Sequence, residues 1–284
     1  MKVRATPLVA TMVLVFAAPL SLGAQPASVP TSLRVIRSLG DTRADAVATV
    51  DAGQVVSQPA GPAPTPRHTG VKALVKDLVE DVKHLPSTEN LFWAGLGGGL
   101  ALAVHPADDD LNRSLTTSDF AKDFFKPGDI LGNLGPLLGS ALVVYASGRI
   151  KDQPKVSHVG MDLIQALAVS GGLTQVIKVA THRERPDGSS HNSFPSGHAS
   201  GTFAFATALE RHLGWKGAVP AYTFASYVAI SRLPANRHWF SDVVFGSAVG
   251  IISGRTVTRH GKEFPVTVTA MQGGGAVIYV HHWQ

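Results

Sequence analysis

Between residues 90 and 258 the chain repeats one kind of segment, an apolar stretch rich in glycine and alanine that is long enough to form a helix. Loops with proline, glycine and charge, such as 105–114 and 125–129, separate these segments. The pattern predicts an all-α fold in which the helices pack as a bundle. The six segments lie near residues 90–104, 130–148, 160–181, 198–213, 217–233 and 239–258.

The sequence allows two environments for this bundle, water and a membrane. A membrane-spanning helix needs roughly 20 apolar residues, and only the run from Ile130 to Gly148, with 19 residues free of charge, comes close to that length. Buried helices of a soluble bundle explain most of the segments. A membrane bundle that carries functional charges is the second interpretation.

The first 68 residues differ from the rest of the chain. Lys2 and Arg4 precede an apolar run and the small residues SLGA at 21–24, an order typical of a secretory signal peptide. We therefore expect residues 1–24 to direct export to the periplasm or cell envelope, with a retained N-terminal anchor as the alternative. Residues 25–68, which are rich in proline and alanine, predict a disordered leader.

Two further segments flank the predicted bundle. Apolar residues recur at helical spacing from Val71 to Leu85, which predicts an amphipathic helix that ends at Pro86 and covers a core or lies on a membrane. Near the C-terminus, PVTVTAM and GAVIYVHHW alternate in polarity around three glycines, which predicts a short β-hairpin within residues 261–284. The adjacent His281 and His282 would point to opposite faces of a strand, so we interpret them as surface residues.

Composition excludes several function classes. The chain has no cysteine, which rules out disulfides, a cysteine-based zinc site and a thiol nucleophile. Its formal charge of +5 is too small, and its basic residues are too scattered, to predict a nucleic-acid partner.

The stretch SFPSGHAS at 193–200 is the first of three motifs that carry chemistry. Proline is favoured near a helix start, and glycine lets a backbone approach a ligand. Free amides at a helix N-terminus attract anions. Ser196, Gly197 and His198 therefore predict an anion site with a titratable group beside it, and a helix cap with a surface histidine is the alternative.

The second motif is KVATHRERP, in which Lys178 and Arg185 are seven residues apart. Two helical turns would place both cations on one face of a helix that Pro186 ends. They could bind an anion together, or they could simply complement the helix dipole.

The third motif, SRLPANRHWFSD, contains Arg232, His238 and Asp242. On a helix a carboxylate four residues after a histidine can reach one imidazole nitrogen, which would leave the other nitrogen free as a base or nucleophile. An ordinary exposed helix pair is the alternative, but a histidine next to tryptophan in an apolar segment argues against it.

Taken together, the motifs predict phosphoryl chemistry. Two arginines match the forked geometry of phosphate oxygens, and a lysine adds a point charge. A histidine beside a carboxylate can attack phosphorus, and a second histidine can protonate the leaving oxygen. Positioning and charge stabilisation of this kind need no metal.

The order K-x6-R-P, P-S-G-H, S-R-x5-H-x3-D across residues 178–242 resembles the three-part motif of the type 2 phosphatidic acid phosphatase and vanadium haloperoxidase superfamily. The resemblance implies an α-helical bundle of that type over residues 69–260. It implies that Lys178, Arg185, Ser196, Gly197 and Arg232 hold phosphate, that His238 is the nucleophile, that Asp242 orients it and that His198 is the general acid. The gap between Pro186 and Pro195 is shorter than is usual in the family, which predicts a small loop over the site.

Three functions follow from this resemblance. The first is an exported, metal-independent phosphatase with no cofactor, acting on phosphomonoesters or lipid phosphates, for which a membrane surface is a further partner. The second is a haloperoxidase that binds vanadate at the residues predicted to hold phosphate. The third is a non-enzymatic binding protein that keeps the fold as a scaffold. Serine-hydrolase chemistry at Ser196 is disfavoured because the G-x-S-x-G context is absent. We interpret the remaining prominent polar residues as structural or surface residues: His158, His182, His191, His212 and Asp108–Asp110.

Overall fold

The computed structural model describes residues 70–259, 266–271 and 274–279. The helices are α1 (Val71–His84), α2 (Thr88–Val104), α3 (Asp108–Thr116), α4 (Asp119–Leu131), α5 (Leu134–Ile150), α6 (Pro154–Thr181), α7 (Gly197–Leu213), α8 (Trp215–Ser231) and α9 (Phe240–Val257), with a 3-10 turn at His105–Ala107. The predicted helical bundle is confirmed for residues 70–259.

Helix α9 forms the centre of the bundle. It is buried along most of its length and packs against α7, α2 and α6. Helix α7 packs in turn against α6 and α8, and α5 packs against α6. The three motifs lie at the end of α6, at the start of α7 and between α8 and α9. The same packing that builds the core therefore brings them together.

Three glycines four residues apart let α7 approach α9 at backbone distance. A Cβ built on Gly246 would lie 2.6 Å from the Ser196 carbonyl oxygen, and one on Gly250 would lie 2.4 Å from the Ser200 carbonyl oxygen. A Cβ on Gly254 would lie 2.6 Å from a side-chain carbon of α7. The opposing atoms at the first two positions belong to the backbone. An added methyl group there could therefore fit only if α7 or α9 moved as a whole.

Replacing Gly250 with alanine should therefore destabilise the protein by about 1–3 kcal/mol through overpacking. The matched control is Gly99→Ala on α2, where a Cβ meets nothing within 4 Å and helix propensity favours alanine. Urea unfolding of both variants beside the wild type checks this. A Gly250→Ala protein as stable as Gly99→Ala would show that α7 and α9 are not in close contact.

Two helices lie where the sequence predicted loops. Helix α3 covers most of the acidic stretch 105–114, and α4 continues through Pro127. Asp108–Asp110 occupy the first turn of α3, where the helix dipole favours negative charge. Ser118 caps α4 by accepting a hydrogen bond from the backbone amide of Ala121 at 3.2 Å. Favourable helix ends thus outweigh the low helix propensity of aspartate, proline and glycine.

The uncharged run 130–148 is not one helix. Helix α4 ends at Leu131, α5 begins at Leu134, and the two helices are bent by 51° at this break. Within the described ranges, α6, with 28 residues, is the single unbroken helix long and apolar enough to cross a membrane. The run 130–148 is therefore not a single spanning helix, but α4 and α5 together are long and apolar enough to cross a membrane as one broken span.

Several helices keep large apolar side chains exposed. Helix α1 confirms the predicted amphipathic helix. Leu78, and Leu85 just after the helix, pack on the core, whereas Val75, Val79 and Val82 are exposed. The same exposure recurs on other helices, as at Leu91, Leu102, Phe120, Val143, Val176 and Trp215. We call these six residues, together with Val75, Val79 and Val82 of α1, the exposed apolar set.

The C-terminal segment contains two short strands. Val266–Met271 and Gly274–Tyr279 pair antiparallel, with Val268 opposite Val277. The confirmed part of the fold prediction is the helical bundle, and the place of this tail in the fold stays a prediction. The predicted signal peptide 1–24, the leader 25–68 and the histidines at 281 and 282 lie outside the described residues.

Candidate active site

The motif KVATHRERP spans the end of α6 and the loop that follows it. Helix α6 stops at Thr181 because His182 adopts a left-handed backbone conformation, with φ of 45°. Arg185 therefore lies in a loop rather than on the predicted continuation of the helix. Lys178 remains on α6, and its amino group donates to the carbonyl oxygens of Asn192 and, at 3.4 Å, Ser193. The lysine thus ties α6 to the loop that leads into α7.

Ser196, Gly197 and His198 form the start of α7. Ser196 is buried and is the N-cap residue, and its hydroxyl accepts from the backbone amide of Ala199 at 3.4 Å. Helix α7 begins at Gly197, which confirms the helix start predicted from the motif. Gly197 is exposed, so its amide edge is open to a ligand.

His238 and Asp242 are both buried, but they are not joined as the sequence predicted. His238 lies before α9, and its Nδ1 is 2.7 Å from the Ser193 carbonyl oxygen and 3.6 Å from Asp242 Oδ2. Because a carbonyl only accepts, Nδ1 carries the proton and Nε2 carries the lone pair. The Asp242 carboxylate instead caps α9, accepting from the Trp239 amide at 2.9 Å, and accepts from the Ser193 hydroxyl at 2.5 Å.

The electrostatics show that the three motifs share one site. Burial, together with the positive charges of Arg185 and Lys178, lowers the pKa of His198 to about 4. The pKa of His238 is also lowered to about 4, mainly by burial, with Lys178 and Arg232 adding to the shift and Asp242 opposing it. Both histidines are therefore neutral near pH 7. Each is surrounded by cations that an incoming anion would neutralise.

Arg232 contributes a buried cation. Its burial and the charge of Arg237 lower its pKa to about 10, so it stays charged at neutral pH. The Nε donors of Arg185 and Arg232 are buried and have no hydrogen-bond partner among the residues that the structure describes. Buried donors without partners are costly, so these two guanidinium groups fit a site that takes an anion.

Asp129, near the end of α4, is a site residue that sequence reasoning missed. Its carboxylate contacts the Arg232 guanidinium, and its backbone carbonyl accepts from His198 Nε2 at 3.1 Å. A Cβ on Gly132 would lie 2.8 Å from a ring carbon of His198, so the chain just after α4 packs directly on that histidine. No motif marks Asp129, because its role depends on the packing of α4.

No group of three metal-ligating side chains is placed to hold an ion anywhere in the part of the chain that the structure describes. The expectation that the reaction needs no metal and no cofactor stays a prediction. The acids and imidazoles of the site instead bond to serine, arginine and backbone groups.

The family model of the PAP2 superfamily matches residues 159–265. Residues 159–265 of the chain are therefore similar to that superfamily. The resemblance that the three motifs indicated is thereby confirmed, and the PAP2 segment contains every predicted site residue from Lys178 to Asp242.

Two curated proteins are similar over part of the chain. A lipid A 1-phosphatase of Porphyromonas gingivalis is 45% identical over 91 residues, which cover 31% of this chain and 20% of that protein. A PA-phosphatase related-family protein of Dictyostelium discoideum is 29% identical over 147 residues, covering 41% of this chain and 54% of that protein. The chain thus spans about a fifth and about half of the lengths of these relatives.

Two solved structures are also similar. LpxE of Aquifex aeolicus gives a TM-score of 0.46 at 22% identity, covering 54% of this chain and 95% of that one. A PAP2 type phosphatidylglycerolphosphate phosphatase of Bacillus subtilis gives a TM-score of 0.48 at 21% identity, covering 68% and 98%.

Residues outside the PAP2 segment also reach the site. Asp108 is buried, and it accepts from the Ser241 amide at 2.8 Å and from Arg183 at 2.8 Å. The interpretation of Asp108–Asp110 as structural or surface residues agrees with the structure, in which Asp108 is buried and structural and Asp109 and Asp110 are exposed. The signal that could have found Arg183 is its place two residues before Arg185, inside the same motif.

The neutral histidines predict a pH-dependent stability. Both imidazoles titrate near 6.5 when unfolded and at about 4 when folded, so between these pH values the unfolded chain binds more protons. Stability should fall as the pH drops from 6.5 to 4, and His198→Gln should lose less over this interval, by on the order of 2 kcal/mol. Urea unfolding at pH 7 and pH 4.5 measures this. Equal losses in both proteins would contradict a neutral His198.

Proposed function

We propose that the protein is a phosphatase that removes the phosphate group from lipid phosphates without a metal, through a phosphohistidine at His238. The observation that carries this proposal is that three cations, Lys178, Arg185 and Arg232, lie around two neutral histidines, of which His238 is buried and His198 is 18% exposed. A phosphate monoester carries the charge that would neutralise those cations. It also has oxygens for the unpartnered Nε donors.

Phosphate binding prepares the histidines for reaction. The positive charges that lower the pKa of His198 are offset once a phosphate dianion lies between them, so binding favours protonation of that imidazole. Its Nε2 is held by the Asp129 carbonyl, which leaves Nδ1 to carry the proton that is transferred. Bound phosphate thus converts His198 from a neutral imidazole into a general acid.

The first chemical step forms the covalent intermediate. The Nε2 lone pair of His238 attacks phosphorus, the bond from phosphorus to the ester oxygen breaks, and the proton of His198 passes to that leaving oxygen. The Ser193 carbonyl keeps the Nδ1–H of His238 in place throughout. Charge that develops on the phosphoryl oxygens is stabilised by the two guanidinium groups and by the amides at the start of α7.

The second step releases phosphate. Neutral His198 takes a proton from a water molecule as the water oxygen attacks phosphorus, and the bond from phosphorus to His238 Nε2 breaks. The products are inorganic phosphate, neutral His238 and His198 in the protonated form that it had with substrate bound; His198 loses that proton when phosphate leaves. The cycle consumes one water and needs no redox partner.

The exposed apolar set favours a lipid substrate. Apolar side chains exposed on this scale mark a surface that contacts lipid or another apolar partner. The similar protein of Porphyromonas gingivalis is named a lipid A 1-phosphatase, which supports phosphate on a lipid as the substrate class. We further propose, from the signal peptide predicted in residues 1–24, that the enzyme acts in the cell envelope.

The test is phosphate release by the full chain in mixed detergent micelles that contain phosphatidic acid, in excess chelator. A water-soluble aryl phosphate serves as the comparison substrate. We expect release from both, with a higher kcat/KM for the lipid. Absence of release from either by a folded protein would refute the proposal. Vanadate-dependent bromide oxidation by peroxide would then assign the protein to the haloperoxidase branch.

A further inference from the structure

One arginine joins two buried carboxylates from distant parts of the chain. Arg183 lies in the loop after α6, and its Nη1 is 2.6 Å from Oδ1 of Asp242 in the first turn of α9. Its Nη2 is 2.8 Å from Oδ2 of Asp108 at the start of α3. The two aspartates are 0% and 3% exposed. Each carboxylate would be costly to bury without a cation, and a single guanidinium serves both.

The groups around Arg183 complete this arrangement. Ser241 donates its amide and its hydroxyl to Asp108 at 2.8 and 2.6 Å, and its hydroxyl oxygen accepts from Arg183 Nη1 at 2.7 Å. The guanidinium also lies 5.6 Å from the centre of the Trp239 ring, within the range of a cation–π contact. A lysine could not reproduce these contacts, because it lacks the planar fork that addresses two carboxylates at once.

Ser193 links Asp242 to His238 through two hydrogen bonds. The oxygen of Asp242 that does not face Arg183 accepts from the Ser193 hydroxyl at 2.5 Å, and the Ser193 carbonyl accepts from His238 Nδ1 at 2.7 Å. The Ser193 amide donates to the backbone carbonyl of Arg183 at 2.9 Å. Arg183 therefore holds Ser193 twice, through its own backbone and through Asp242. Ser193 is fully buried and has no freedom to move away.

We propose that Arg183 is a positioning residue, which fixes the tautomer and ring orientation of His238 through Asp242 and Ser193. It contacts neither the phosphate cradle nor the reacting atoms. The inference rests on the proposed function in one respect only, that His238 is the nucleophile. Without the Arg183 side chain, Asp242 loses a counter-ion, the carboxylate that accepts from the Ser193 hydroxyl is no longer fixed, and the Ser193 carbonyl that holds the His238 Nδ1–H is less firmly placed. The population of His238 with a lone pair on Nε2 then falls.

The test combines kinetics with a measurement that needs no substrate. In Arg183→Met we expect kcat for lipid phosphate to fall about 100-fold, with KM changed less than about threefold, because orientation is lost and binding is kept. The ¹⁵N spectrum of labelled His238 at neutral pH should change from one Nδ1–H tautomer to a mixture. Arg183→Lys should lie between, because it keeps one of the two ion pairs.

The matched control is Arg113→Met. Arg113 also pairs with an aspartate on α3, Asp110, but that pair is 3.4 Å long and both side chains are more than two-thirds exposed. Such a surface pair contributes little. We expect Arg113→Met to leave kcat and the His238 spectrum unchanged.

A second variant separates positioning from folding. In Arg183→Met/Asp108→Asn a neutral amide replaces the Asp108 carboxylate, so thermal stability should recover in part while the link to Asp242 stays broken. Recovery of thermal stability without recovery of kcat supports the proposal, and recovery of both would overturn it. So would a single Nδ1–H tautomer in Arg183→Met. If the wild type hydrolyses no phosphate ester, the proposed function fails, and the tautomer of His238 still decides the role of Arg183.

Discussion

Replacing His238 with alanine should lower the rate of phosphate release by about three orders of magnitude or more, because no other group can form the covalent intermediate. The side chain is 4% exposed, and its Nδ1 is held by Ser193, so the reactive Nε2 has one orientation. Release of inorganic phosphate from phosphatidic acid micelles in excess chelator is the measurement. Binding of inorganic phosphate should weaken only slightly, because the three cations remain.

The control for this substitution is His84→Ala. His84 is exposed at the end of α1 and bonds only to the carbonyl oxygen of Glu80 in its own helix, so its loss should leave the rate within about twofold. Rapid quenching of the wild type in alkali, in which phosphohistidine is stable, should trap labelled phosphate on the protein. Full activity in His238→Ala, or label trapped on that variant, would mean that another residue is the nucleophile.

The second large effect is expected at Arg232. We expect Arg232→Lys to lower kcat/KM by about 10²–10³-fold, the loss typical of removing one donor to a developing oxyanion. The guanidinium is buried beside Asp129, and its Nε has no partner in the protein. A lysine keeps the charge but lacks the fork that can hold the aspartate and a phosphate oxygen together.

Arg237→Lys is the matched control for Arg232→Lys. Arg237 lies five residues further along the same loop, but its side chain is 45% exposed and pairs with Asp187 at 3.1 Å. The control should retain kcat/KM within about twofold, because a lysine can keep an exposed ion pair of this kind. Inhibition by inorganic phosphate should weaken in Arg232→Lys and not in Arg237→Lys. Equal effects in the two variants would show that Arg232 supplies general positive charge rather than a specific contact.

The neutral state of the two histidines connects these predictions. In the proposed mechanism neutral His238 can attack phosphorus, because burial and the surrounding cations lower the pKa of both imidazoles. His198 would become an acid only when phosphate is bound, so the proton needed by the leaving group would arrive with the substrate.

Local sequence was enough to predict the elements that carry the motifs. Apolar segments of helical length gave the bundle, and the cap residue Ser196 with Gly197 gave the start of α7. These features depend on neighbours in sequence, on side-chain period and on helix-end chemistry. The identity of the family was also readable, because Lys178, His198 and His238 stand in one fixed order with fixed spacings inside the motifs.

The links between these elements could not be predicted in the same way. The spacing of His238 and Asp242 predicted a direct bond, yet the chain turns into α9 only at Phe240, and the carboxylate caps that helix. The Ser193 carbonyl oxygen accepts the hydrogen bond of the His238 imidazole instead. A pair of residues four apart interacts as expected only if both lie in the same helix.

What the sequence by itself determined is the inventory of the site: three cations, two histidines and a helix start able to hold a phosphate. What only the tertiary structure decided is how those groups are supported. Asp108, Asp129 and Arg183 reach the site from segments far from the motifs or outside their recognised positions. Their role arises from long-range packing, because a buried charge takes whichever partner the folded chain brings within reach.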